Sequence, residues 1–276
     1  MLLTAIAEPP LHLQVSSAGH AFVLVATGLT CAGLIGLALR SWMRTGSPLF
    51  LLCLIGGALG LLTEPFCDVL GQIYFREQGH PVILFTILGR GQHLWGAFAY
   101  AILIGLEGYA FSRLFVSRPA RTRFWKLIAA LITVNLAIEI PATRLGLYDY
   151  YGSQPFNLTG FPLYWAFTNL GGILAGAILA GCRDWFRGLR LLAVPFLMVS
   201  CFIGWELFTG WPVFAALNTD AGFPLTYPAG VVSIGLALAG LSLLARVFTV
   251  EESDEGVDEA PGVLVVDVDV DDPAVG

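Results

Sequence analysis

Seven runs of about 20 apolar residues set the limits on what this chain can fold into. They fall at residues 21–39, 49–70, 95–115, 125–140, 162–182, 191–209 and 224–248. A helix rises about 1.5 Å per residue, so most of these runs come close to the length that crosses a ~30 Å hydrocarbon layer. In lipid a lone segment satisfies its backbone N–H and C=O groups only as a helix. The expected fold is therefore all-α: a polytopic, multi-pass membrane protein with seven transmembrane helices in one bundle. The fourth run is short before Pro141, past which the helix is expected to continue, kinked, to about Leu147. Composition agrees, with 57% apolar and 12% charged residues against roughly 45–50% and about 25% in soluble domains.

Charge gives the expected orientation. Of 14 Lys and Arg residues, eleven lie on one side of the runs: Arg40, Arg44, five in the stretch 113–126, three in 183–190, and Arg246. Arg76, Arg90 and Arg144 lie on the other. The positive-inside rule makes the first side cytoplasmic and the N-terminus external. This divides the chain into three parts: a short extracytoplasmic segment at 1–20, a seven-helix domain at 21–250 in the cell membrane, and a cytoplasmic tail at 251–276. The tail holds ten acidic residues and no Lys or Arg, so the remainder carries 14 − 10 = +4. It is expected to be solvated and disordered. The segment 1–20 lacks a basic n-region and contains Glu8, Pro9 and Pro10, which argues against a cleavable signal peptide.

Polar residues at membrane depth are the functional candidates, because an unpartnered one costs several kcal/mol there. Counted along each helix from its cytoplasmic end, Glu64, Glu139 and Glu206 lie roughly 21–23 Å deep. Asn169, about 10 Å from the outer end of its helix, falls near the same plane. Three carboxyl groups in one layer cannot all ionise cheaply, and a protonated one beside an ionised one is an acid and a base. Asp68 follows Glu64 by four positions on the same helix face, Asn135 precedes Glu139 by four, and Arg144 follows it by five. Arg144, Arg90 or His93 is expected to hold one carboxylate charged. Tyr148, Asp149, Tyr150 and Tyr151 sit at the outer interface as an aromatic belt or a pocket wall. Glu107, nearer the cytoplasmic side, reads as structural.

Several classes are excluded. A retinal Schiff base in the last helix needs a lysine there, and the sole lysine is Lys126 in a loop. Histidine boxes, Asp-rich prenyltransferase motifs, Gly-x-Ser-x-Gly, P-loop and dinucleotide fingerprints are absent. The five cysteines have no paired spacing and the four histidines do not cluster, so neither metal nor cofactor is expected. What remains is cofactor-free acid/base chemistry or transport.

Two segments, LLTEPFCDVLGQIYF (61–75) and EIPATRLGLYDYYGSQPFNLTGFPLYWAFTN (139–169), resemble the AveC-like spirocyclase family of actinobacterial membrane proteins. The likeness spans roughly residues 49–182 and is carried by Glu-Pro-x-x-Asp-x-x-Gly and Tyr-Tyr-Gly-x-Gln-Pro. It implies a cyclase of a lipophilic polyketide-type metabolite; dehydratase activity is also associated with the family. Spiroketal closure adds two hydroxyls to a ketone with loss of water, which asks for an acid and a base in a water-poor pocket. By position rather than by the resemblance, Glu64 and Glu139 are the expected acid/base pair, with Glu206 third. Arg144 would tune their charge, and Asp68, Asn169, Tyr148 and Tyr151 would orient substrate, with Asp149, His93, Arg90 and Trp165 as further lining candidates. The expected partners are a lipophilic small molecule and membrane lipid, not nucleic acid. A membrane terpene cyclase would want the same carboxyls with aromatics such as Phe66, Tyr74, Trp165, Trp205 and Trp211 to stabilise cations. A proton-coupled or small-molecule transporter would want polar groups along a whole path, whereas the inner halves of these helices are nearly bare.

Overall fold

The computed structural model describes residues 7–79 and 81–251. The acidic tail therefore lies outside the described residues, apart from Glu251. The chain is mostly helical, with six segments long and apolar enough to cross a membrane: Ser17–Thr45, Leu49–Leu70, Leu94–Val116, Arg121–Arg144, Gly188–Leu217 and Phe223–Phe248. The run expected at 162–182 is realised as a shorter apolar helix, Trp165–Gly181.

Helix α1 (Ser17–Thr45) starts where the Ser16 hydroxyl accepts the Gly19 N–H at 3.2 Å, satisfying one of the first-turn donors. It stops at Gly46, whose φ of 72° suits a residue without Cβ. The second span is α2 (Leu49–Gly60), a 3-10 turn at Leu61–Thr63, and α3 (Glu64–Leu70). Pro65 lies in the first turn of α3 and forces this division, because a proline lacks the N–H that a continuous helix would need. The third span is α4 (Leu94–Tyr100), a π-turn at Ala101–Gly105, and α5 (Leu106–Val116). The π-turn lies against α2 backbone to backbone: a Cβ on Gly57 would stand 2.6 Å from both the Gly105 N and the Tyr100 O.

Helix α6 (Arg121–Arg144) carries Pro141 within it, as expected, and ends at Arg144. The fifth run divides at Asn169 and Leu170 into α7 (Trp165–Thr168) and α8 (Gly171–Gly181). Gly171 permits that second start, since a Cβ there would meet the Phe202 Cα at 2.8 Å. Helices α9 (Val194–Leu217) and α10 (Phe223–Phe248) complete the set.

The all-α expectation misses the end opposite the basic loops. There β1 (Ile73–Phe75) pairs antiparallel with β4 (Tyr148–Tyr150), β2 (Ile83–Ile87) with β3 (Arg90–His93), and β5 (Asn157–Leu158) with β6 (Phe161–Pro162). In the first ribbon Tyr74 stands opposite Asp149. The N-terminal segment is fastened to this cap by a bridge between Gln14 and Gln78, and Val15 beside it is buried. At the basic end the space between helices is filled. Phe111, Phe115 and Phe124 pack with Ile128, Ala237 and Leu241, and the Phe248 ring lies 4.8 Å from that of Phe115. Cys53, Ile104, Ala175, Val194 and Met198 fill the adjoining gap.

Candidate active site

Between the filled basic end and the ribbon cap lies a hollow of about 160 Å³. It touches α1, the start of α3, β1, α4 through α5, α6, β4, α7 and α9. Glu64, Glu139 and Glu206 all line it, and so does Glu107. The three carboxyls placed at one depth by helical rise thus share one space. Glu64, Glu107 and Glu206 are buried, and Glu139 is partly exposed.

Each carboxyl also has a neighbour of its own. Tyr100 donates its hydroxyl to the Glu64 Oε2, and Tyr148 donates to the Glu139 Oε2. The Cys67 thiol donates to the Glu206 Oε2 at 3.2 Å. The Glu107 carboxyl rests against Gly172, whose missing Cβ leaves room for it at the first turn of α8, where backbone N–H groups have no helical partner. The donors use Oε2 in each of Glu64, Glu139 and Glu206, and none of their Oε1 atoms is a sealed orphan. One oxygen per carboxyl is anchored and the other remains for the hollow.

The remaining wall is aromatic and apolar: Phe75, Trp95, Tyr100, Tyr148, Tyr150, Trp165 and Phe202 contribute rings. Among the described residues no Lys, Arg or His lines the hollow, so ionising all four carboxyls would leave unpaired charge in a low-dielectric space. Nor do the acids meet at a point. Among the described residues no three His, Cys, Asp or Glu side chains come together as a metal-ligand set. Two buried polar atoms of lining residues, the Asn135 Oδ1 and the Trp165 Nε1, have no partner among the described residues. Both atoms are sealed from the hollow, so the polar atoms open to a bound molecule are the carboxyl oxygens that the tyrosine and thiol donors leave free.

The other expected site residues divide. Tyr148, Asn169 and Trp165 line the hollow. Asp68 is buried outside the lining, where Gln92 donates to its Oδ2 at 2.7 Å. Arg90 donates to the Tyr151 hydroxyl at 2.8 Å, and neither residue reaches the hollow. The expectation that Arg144 holds a carboxylate charged fails, because Arg144 is exposed at the end of α6. Five positions past Glu139 on a helix is about 500° of turn, which carries its side chain off the Glu139 face. The ion pair in this region is instead Arg76 with Asp149, bidentate at 2.6 and 2.9 Å. Asp149 is thus a cap residue rather than a lining one. His93 does not supply a positive charge either: its Nδ1 accepts the Trp95 indole N–H at 3.1 Å, and burial, aided by nearby His20, pushes its pKa down to about 4.

Of the aromatics considered for cation stabilisation, Trp165 alone lines the hollow; Phe66 and Trp211 are exposed on the outer surface. Sequence reasoning misses Tyr100 and Cys67 and sets Glu107 aside. A usable signal exists for two of these, since Tyr100 and Glu107 are spaced by about two turns and so share one helix face. The Tyr-Tyr-Gly-x-Gln-Pro segment serves the cap. Gly152, at φ 71°, leaves space that the Gln72 side-chain amide oxygen occupies. Gln154 donates to the Gly71 and Tyr151 carbonyls at 2.8 and 3.0 Å. Burial and the adjacent Glu139 carboxyl hold the Tyr148 hydroxyl well above the usual phenol range, so it remains a donor.

No protein-family model matches the sequence, and neither a curated protein nor a solved structure matches it.

Proposed function

We propose that this chain is an integral membrane cyclase that closes a ring in a lipophilic, polyketide-type substrate by acid/base catalysis between carboxyl groups. The observation that carries the reading is the convergence of Glu64, Glu107, Glu139 and Glu206, from four separate spans, on one aromatic-walled hollow free of cationic side chains among the described residues. Such a set is least costly when protons are shared among its members, leaving at least one acid and one base at neutral pH. In spiroketal closure the protonated member gives its proton to the departing oxygen, which leaves as water. The ionised member takes the proton of the attacking hydroxyl, so each step exchanges the protonation of the pair; the two additions, hemiketal formation at the ketone and then closure with loss of water, together restore it without a cofactor. Loss of water without ring closure, a dehydratase reaction, uses the same two groups. Glu139, held by Tyr148, and Glu64, held by Tyr100, are the proposed pair, with Glu206 third. Asn169 and Tyr148, which line the hollow, would orient substrate oxygens. The likeness to AveC-like spirocyclases points the same way.

In this reading the short helix Trp165–Gly181 makes a seventh crossing. The N-terminus is external, and the basic end with the tail faces the cytoplasm of a cell-membrane protein. The packed aromatic core at the basic end argues against a transport path through the molecule.

One observation favours a second reading. The hollow is faced by aromatic rings, the lining that carbocation chemistry uses, so a terpene cyclase that protonates an isoprenoid with the same carboxyls is the alternative. The two are separated by presenting membranes bearing the protein with an open-chain dihydroxy ketone and with a linear isoprenoid. Spiroketal formation that is lost in Glu64→Gln and Glu139→Gln supports the first reading. Cyclisation of the isoprenoid alone supports the second, and conversion of neither at any level above empty membranes contradicts both.

A further inference from the structure

Two of the helices that wall the hollow, α1 and α6, do not pack closely on each other. Helix α1 packs closely on α2 and α4, whereas α6 packs on α7, β4 and β6. Their packing partners thus lie on opposite sides of the seam between them. The two helices come together at the ribbon cap, where a Cβ on Gly19 of α1 would stand 3.6 Å from the Leu145 carbonyl oxygen just past α6. Farther along, Val23 and Thr27 on one side and Val134 and Ile138 on the other all line the hollow. Yet Val134 and Ile138 are 49% and 47% exposed on the outer surface. A side chain that both lines a cavity and faces outward marks an opening.

Depth identifies what lies outside that opening. Val134 sits roughly 20 Å along α6 from Arg121 and roughly 15 Å from Arg144 at a rise of about 1.5 Å per residue. In a ~30 Å hydrocarbon layer that is the acyl-chain region, beyond the reach of water or headgroups. The surface on the α1 side is apolar as well, with Phe22, Val25 and Leu29 exposed. An aqueous solute gains nothing there, whereas a hydrocarbon chain moves from lipid into an aromatic-walled space at little desolvation cost. Just inside the seam, next to Ile138, stands Glu139 with its free oxygen.

We propose that the α1–α6 seam is a lateral portal through which a free, single-chain lipophile dissolved in the bilayer reaches the carboxyl-lined hollow. This deepens the cyclase reading by naming how its substrate arrives, and it rests on that reading only for the chemistry after entry. Portal and chemistry can therefore fail separately.

The test needs no turnover. The full chain in phosphatidylcholine nanodiscs is irradiated with a diazirine-bearing long-chain fatty alcohol, and labelled peptides are mapped by mass spectrometry. Label is expected on interior residues such as Tyr100 and Glu206 as well as on the exposed face of α10 at Val231. Val134→Trp, which plugs the seam, should remove the interior label and leave the Val231 label unchanged. Thr27→Trp on the facing lip should do the same, so a folding defect peculiar to one variant does not decide the outcome. An unlabelled interior in the wild-type protein, or interior label equal in both Trp variants and wild type, overturns the portal. Interior label from a diazirine phosphatidylcholine in place of the alcohol overturns the assignment of a free single chain.

Discussion

Tyr148 of β4 donates its hydroxyl to Glu139 of α6, so the ribbon that roofs the hollow is bonded to a carboxyl of the helix that walls it. β4 is in turn paired with β1, and the residue after β1, Arg76, grips Asp149 beside Tyr148. The cap therefore sets the position of a proposed catalytic group through three successive links.

Removing the first link isolates its worth. Tyr148→Phe keeps the ring against Trp95 and Phe75 but leaves the Glu139 oxygen without its donor. A buried polar group stripped of its partner costs about 1–3 kcal/mol. The expected outcome is a clear drop in melting temperature in detergent, larger than that of Tyr227→Phe on the exposed surface of α10.

The Arg76–Asp149 pair is partly exposed, with 21% and 26% of the side chains accessible, so solvent screening limits its value. Its bidentate geometry places it at the upper end for such pairs, about 1 kcal/mol. A double-mutant cycle with Arg76→Ala and Asp149→Ala, read by thermal unfolding, should return a coupling of that size. A coupling of zero would mean that β1 and β4 hold the cap without the ion pair.

Close backbone approach between α2 and the π-turn predicts a sharp contrast between two glycines. Gly57→Ala puts a methyl 2.6 Å from backbone atoms that cannot swing aside, and such overpacking costs about 1–3 kcal/mol. Gly33→Ala on α1 meets nothing within 4 Å. There a helical alanine replaces a glycine and should gain about 0.5–1 kcal/mol. Melting temperatures moving in opposite directions check both halves.

Acid stability should depend on His93. Its ordinary pKa of 6.5 applies in the unfolded chain, and burial lowers it to about 4 in the folded one. Between those values the unfolded state binds a proton that the folded state refuses, so stability falls as pH drops through this window. The loss is roughly 1.4 kcal/mol per pH unit for a single group. Well above the unfolded value the group contributes no slope. His93→Gln should flatten the dependence of melting temperature on pH inside the window, and an unchanged slope would refute the assignment.

The carboxyl layer is legible in the sequence because helical rise is regular: residue counting places Glu64, Glu139 and Glu206 at one depth, and they line one hollow. The cap is not legible. Its strands are short, and β1 pairs with β4 across two intervening spans, so neither periodicity nor turn signals announce the pairing. The same separation hides Arg76 as the partner of Asp149 and makes the nearby Arg144 look better placed than it is. Depth counting sets Glu107 nearer the cytoplasmic side and so leaves it out. The π-turn just before it and the Gly172 gap place its carboxyl on the hollow, and neither is visible in a hydropathy pattern.

Whether Glu139 and its neighbours perform chemistry on a lipophilic substrate is decided by metabolite profiling of a deletion strain restored with either the wild-type gene or Glu139→Gln, at matched protein level in the membrane. Loss of a well-placed general acid or base typically slows a reaction by about 10²–10⁴-fold. Catalysis at this carboxyl predicts that Glu139→Gln leaves the deletion profile in place, with an open-chain precursor accumulated and its cyclised or dehydrated product missing. A wild-type profile restored in full by Glu139→Gln would show that the carboxyl is not catalytic.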